Sequence, residues 1–72
     1  SPQLACECPQ HLASVIEQLQ AFERYSARCV VEQPADGDLH AQMAHVTGWA
    51  RARMEALLLT LCAHEGIDPD AP

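Results

Sequence analysis

The chain has 72 residues, room for one domain, and sets ten acids against four basic residues, all arginine, for a formal charge of −6. Such a surface repels phosphate, which excludes direct nucleic-acid binding by this segment and argues against an anionic membrane surface. Nearly half of the residues are apolar, yet Phe22, Tyr25 and Trp49 are the only aromatics, so a core must come from Leu, Val, Ile, Met and Ala. A monomer this small is marginal without a disulfide, a metal or a partner.

No apolar run reaches the length a membrane span needs: Leu57-Leu58-Leu59 is short and follows Arg51, Arg53 and Glu55. No secretory signal is present, and Ser1-Pro2-Gln3 lacks an initiating Met, which reads as a segment of a longer protein. The expected compartment is the cytoplasm. Four cysteines suit two disulfides in an oxidising compartment or a metal site in a reducing one.

Residues 1–8 read as an N-terminal lead carrying Cys6-x-Cys8. Pro9 suits the first turn of a helix, where its missing N–H costs nothing. From there Leu12, Val15, Leu19, Phe22, Ser26 and Cys29 step by three and four, with Ile16 and Val30 flanking the stripe. Gln33 precedes Pro34 and resists the α conformation, so the first helix spans about 9–32. Pro34 suits the start of a second helix, spanning about 34–65, where Asp36 and Asp38 favour its positive end. Gly37 weakens that turn and allows a start two or four residues later. Leu39, Met43, Val46, Ala50, Met54 (or Leu57), Leu58 and Leu61 form its apolar face, and Gly66 is the expected left-handed cap, before Ile67 and Pro69. Residues 67–72 read as a disordered tail.

Two long helices joined by a very short turn run antiparallel. The expected fold is all-α, a two-helix hairpin over 9–66. In the expected register Ser26 meets Leu39, Phe22 meets Met43, Leu19 meets Val46, Leu12 meets Met54 and Cys8 meets Leu58. A second stripe, His45, Trp49, Ala52, Ala56 and Leu59, is left over on helix two. It predicts a homodimer that closes a four-helix bundle, the alternative being a single missing partner domain.

Cys6-Glu7-Cys8-Pro9-Gln10-His11 is the motif with chemical content. At the N-cap of the first helix Cys8 would have its thiolate stabilised by free N–H groups and the helix dipole. Two thiolates one residue apart can share a soft metal, His11 one turn on can be a third ligand, and the register brings Cys62 to the same open end as a fourth, with His64 in reserve. The metal set is therefore Cys6, Cys8, His11 and Cys62, holding Zn²⁺ or another thiophilic ion. Two other readings stay open: a plain strap under helix two, or a disulfide from Cys62 to Cys6 or Cys8. Cys29, at the turn end, reads as a small core residue. His40 and His45, five apart, do not share a helical face. Arg51 and Glu55 form an i,i+4 pair, and Glu23 and Arg24 are within reach of Arg51 or Arg53 across the bundle. No Ser-His-Asp set, phosphate loop or paired carboxylates in a cleft is present, so no enzyme is expected.

Cys6-x-Cys8-Pro9-x-His11-Leu12-Ala13, Ala21-Phe22-Glu23-Arg24-Tyr25-Ser26, Leu39-His40 and Ala50-Arg51-Ala52-Arg53 together resemble, over residues 5–67, the segment after the winged-helix DNA-binding domain in bacterial transcription regulators of the mercury-resistance-regulator (MerR) type. The resemblance implies a dimerising, metal- or effector-sensing module whose DNA is held by a missing N-terminal domain. The alternatives are a helical dimerisation scaffold without ligand and a small metal-carrying or thiol redox protein.

Overall fold

The computed structural model describes residues 6–70; the lead's residues 1–5 and the tail's 71–72 lie outside the described residues. The described chain is all-α. Helix α1 runs Cys8–Glu32, a single 3₁₀ turn occupies Pro34–Asp36, and helix α2 runs Gly37–Glu65. The body measures 57 × 19 × 18 Å, the shape of two long helices laid side by side.

Local chemistry explains the boundaries. Pro9 sits in the first turn of α1, and Glu7 is the N-cap residue. Cys8 is therefore the first helical residue, one position past the cap expected for it. At the other end the Gln33 N–H donates to the Cys29 carbonyl at 2.8 Å, and Gln33, extended ahead of Pro34, ends the helix. Pro34 opens the 3₁₀ turn rather than α2 itself, which begins three residues later. At Gly66 the backbone turns left-handed, with φ 73°, and the Ile67 N–H donates back to the Cys62 carbonyl at 2.8 Å. That is the two-bond cap a glycine makes at low cost. Beyond it, in the stretch expected as a tail, the Asp70 N–H donates to the Asp68 carboxylate at 2.9 Å and residues 69–70 form a turn.

The apolar stripes enter the seam only in part. In α1 the residues turned inward are Pro9, Ile16, Ser26 and Cys29, the last two from the predicted stripe and Ile16 from its flank; in α2 they are Thr47 and Cys62, neither from the predicted face. Val15, Phe22, Leu39, Val46 and Leu57 lie instead on the surface, 42–56% exposed. The small residues Ser26, Thr47 and Gly48 let the two backbones approach, and one ion pair spans the seam. The Arg51 Nε donates to Glu23 Oε1 at 2.6 Å while its Nη1 donates to Glu55 at 2.8 Å. Of the expected charge contacts, the i,i+4 pair forms and Glu23 selects Arg51. The register is offset too. Cys8 lies within electrostatic reach of Glu65 and lines a groove with Leu61, so it stands opposite the last turn of α2 and not opposite Leu58.

Two expected outcomes follow from the seam. A Cβ at Gly48 would stand 2.6 Å from Glu23 Oε2 and 3.2 Å from its Cδ. Gly48→Ala gains about 1 kcal/mol of helix propensity but drives the carboxylate off Arg51. In a Glu23→Ala background the same substitution has only the gain, so it stabilises there by about 1 kcal/mol more than in the unmodified chain. Urea titration of the four proteins measures the difference.

The second outcome concerns acid. The hydrogen bond from Arg51 holds the Glu23 carboxyl below its ordinary value of 4.5, against a smaller opposing effect of burial. A lowered folded-state pKa means that the pair's stabilisation is complete above 4.5 and is lost as pH falls through the lower folded value. Melting temperature should fall more steeply below that point in the unmodified chain than in Glu23→Gln. Equal slopes would show that the pair contributes nothing to folding.

Candidate functional site

Two features of the fold can carry function: the cysteine-bearing open end and one lateral side of the hairpin.

At the open end, the two residues ahead of α1 bring Cys6 back against Cys8. The Cys8 backbone N–H donates to the Cys6 sulfur at 3.4 Å, and the two thiols share a hydrogen bond. That bond, then the charge of Cys6, burial and the carboxylate of Glu65, hold the Cys8 thiol above its ordinary pKa. This reverses the expectation that the helix terminus lowers it, because the thiol meets another thiol and a carboxylate where a cation would be needed. His11 is exposed, its Nε2 3.7 Å from Glu7 Oε1. Cys62 reaches the same end of the hairpin but is only 4% exposed, turned into the seam between the helices, whereas Cys8 and His11 face the lateral groove. His64 is on the surface of the last turn. Among the described residues no three His, Cys, Asp or Glu side chains stand close enough together to hold an ion, and Cys6, Cys8, Cys29 and Cys62 are all free thiols. The structure thus brings together Cys6 and Cys8, sets His11 beside them, and points Cys62 elsewhere. Cys29 is buried at the turn end.

The lateral side is the larger feature. Near the open end a groove of about 450 Å³ is lined by Cys8, His11, Leu12, Val15, Leu57 and Leu61. Towards the turn a second groove, about 330 Å³, is lined by Phe22, Leu39, Gln42, Met43, Val46 and Thr47. Both lie between α1 and α2 on the same side, and the helical repeat places half-exposed Leu19 and Ala50 between them. These grooves are lined by members of the apolar stripes of the sequence. The stripes bury one another only in part; Val15, Phe22, Leu39, Val46 and Leu57 stand side by side on an open face.

Acids are sparse on this face. The repeat puts Glu17, Glu23, Asp38 and Glu55 on the other strips of the two helices, Glu7 borders the open end with its Oε1 3.7 Å from His11 Nε2, and midway between the grooves stands Arg53, its guanidinium 5.5 Å from the Trp49 ring. Trp49, 62% exposed, shares a strip with Gln42 and forms the outer rim. The left-over stripe, His45, Trp49, Ala52, Ala56 and Leu59, is exposed throughout, as expected of a stripe the hairpin leaves over.

No protein-family model, curated protein or solved structure matches this chain.

Proposed function

We propose that this chain is a homodimerisation module, two hairpins packing face to face into a four-helix bundle, as the dimer-forming segment of a bacterial MerR-type transcription regulator whose DNA is held by another domain. The observation that carries the dimer is an apolar face, bordered by acids only at the open end, on an otherwise acidic chain. Two like-charged copies repel wherever acids meet, and this side is where they approach with least of that cost. The face also supplies what the hairpin lacks. Among the described residues only Pro9, Ile16, Cys29 and Cys62 are buried apolar side chains, while Ser26 Oγ and His40 Nδ1 are buried without a hydrogen-bond partner. Some 30 Å of paired helix, about 19 Å wide, offers on the order of 600 Å² per copy, close to the per-partner area of stable interfaces. Sedimentation equilibrium of the chain should return twice its 7.9 kDa mass. A folded monomer at micromolar concentration would end this reading.

A thiophilic ion at the open end is a second reading, favoured by the contact between Cys6 and Cys8. Zn²⁺ held there by both thiolates and His11 would need Cys62 to rotate out of the seam to close a four-ligand set. Protein purified under reducing conditions should then carry metal that Cys62→Ser lowers and Cys29→Ser leaves alone, since Cys29 lies about 30 Å up the helix from Cys8. Metal-free protein that also fails to take up Zn²⁺ in titration would reject it.

A further inference from the structure

The open face leaves two ways for twofold-related copies to stack. With the axis along the helices, the open ends coincide and α2 of each copy lies on α1 of its partner. With the axis across the helices, the ends are exchanged and each helix lies on its own counterpart. We infer that the dimer takes the first arrangement, with the Trp49–Arg53 rim of each copy seated against the rim of the partner's α1 around Gln18. This rests on the dimer proposed above and specifies its geometry.

The argument is one of level and charge. Across the seam Glu23 stands against Gly48, where a Cβ would lie 2.6 Å from its carboxylate, so residues whose numbers sum to about 71 are level. Gln18 and Arg53 therefore stand level with each other, midway between the grooves. Arg53 is the face's central charge, drawn to the α2 rim by its stacking on Trp49. An axis across the helices passes near this level and sets α2 on α2, so the two Arg53 guanidiniums would be brought together at the closing rim. Like charges in a partly dried interface oppose association. An axis along the helices keeps every level and exchanges the helices, so each Arg53 meets the α1 rim at Gln18. There the Gln18 amide oxygen can accept from the guanidinium, and the cation of that rim, Arg28 over the Tyr25 ring at 5.7 Å, stands more than two turns away. The cation is answered by an acceptor rather than by its own copy.

Cross-linking between single-cysteine rims distinguishes the two, with Cys6→Ser and Cys8→Ser as background and labels placed away from Arg53. His11 and Thr60 are level near the open end, so a mixture of His11→Cys and Thr60→Cys chains treated with a short bis-maleimide should yield covalent dimer, up to about half of the chains after subunit exchange. A mixture of His11→Cys with Tyr25→Cys should yield none, because those positions meet only when the ends are exchanged. Covalent dimer in the second mixture and not the first overturns the inference. Sedimentation of each sample is run alongside. Dimeric mass with no cross-link in the first mixture rejects this arrangement alone, whereas monomeric mass of the unlabelled chain rejects the dimer itself.

Discussion

Val46→Asp should convert the protein from twice its 7.9 kDa mass to a monomer that is partly or wholly unfolded. Val46 is 52% exposed on the hairpin and lies in the turn-side groove beside Phe22, Leu39 and Met43, so in the proposed bundle it is covered. An aspartate there must either lose its charge or bring an unpaired carboxylate into an apolar seam, at a cost of about 3 kcal/mol or more per copy. Each dimer carries the substitution twice. At 1.4 kcal/mol per tenfold, dissociation should increase at least about ten-thousandfold, which takes a micromolar dimer past any accessible concentration. Trp49→Asp provides the contrast. Trp49 sits on the rim, where a carboxylate can remain in water and can pair with Arg53, so dimerisation should weaken far less. Equal loss in both variants would move the centre of the interface back to the Trp49 strip. Retention of dimer in Val46→Asp would show that the open face is not the interface.

Ile16→Ala is expected to be the most damaging truncation inside the hairpin. Ile16 is 6% exposed, the one large aliphatic side chain buried among the described residues. Its loss removes transfer free energy and leaves a cavity between two rigid helices that cannot close around it, for about 2–4 kcal/mol. In a chain of this size that lowers the melting temperature by roughly 10 °C or more, and it consumes much of the stability that small domains possess. Val31→Ala is the control. Val31 is 80% exposed at the end of α1, and its truncation should stay within about 0.5 kcal/mol. Circular-dichroism melts must be compared at one protein concentration, because association with a partner copy raises the apparent midpoint. If Ile16→Ala melts with the unmodified chain, the seam described above is not the packed core.

The open end shows how level and direction separate. Counting 1.5 Å per residue from the turn brings Cys6, Cys8, His11 and Cys62 to one end of the hairpin, and they are there. Direction around the helix is a different quantity, changing by 100° per residue. Cys62 and Leu61 are neighbours in sequence, yet Leu61 lines the groove with Cys8 and His11 while Cys62 is turned into the seam. A shift of one strip is enough to take a proposed ligand out of its site. The thiol of Cys8 follows the same lesson in electrostatics: a helix terminus alone favours the thiolate, but contact with Cys6 and the charge of Glu65 decide the sign.

What the sequence by itself determined is the set of elements and their ends. Pro9, the Gln33-Pro34 junction and Gly66 act through backbone sterics and the backbone's own hydrogen bonds, which need no partner, and the two helices begin and stop beside them. Tertiary structure decided which face of each helix turned inward. Each helix carries an apolar strip next to a strip of small and polar residues, and hydrophobic periodicity favours burying the apolar one against something without saying what. In the hairpin the close approach allowed by Ser26, Thr47 and Gly48, together with the Glu23–Arg51 pair, takes the inner side. Of the apolar strips, Ser26 and Cys29 enter the seam, while Val15, Phe22, Leu39, Val46 and Leu57 are left adjacent and outward, because a pair of helices has one seam and these residues offer two. Burial of the second requires surface that one copy of the chain does not possess.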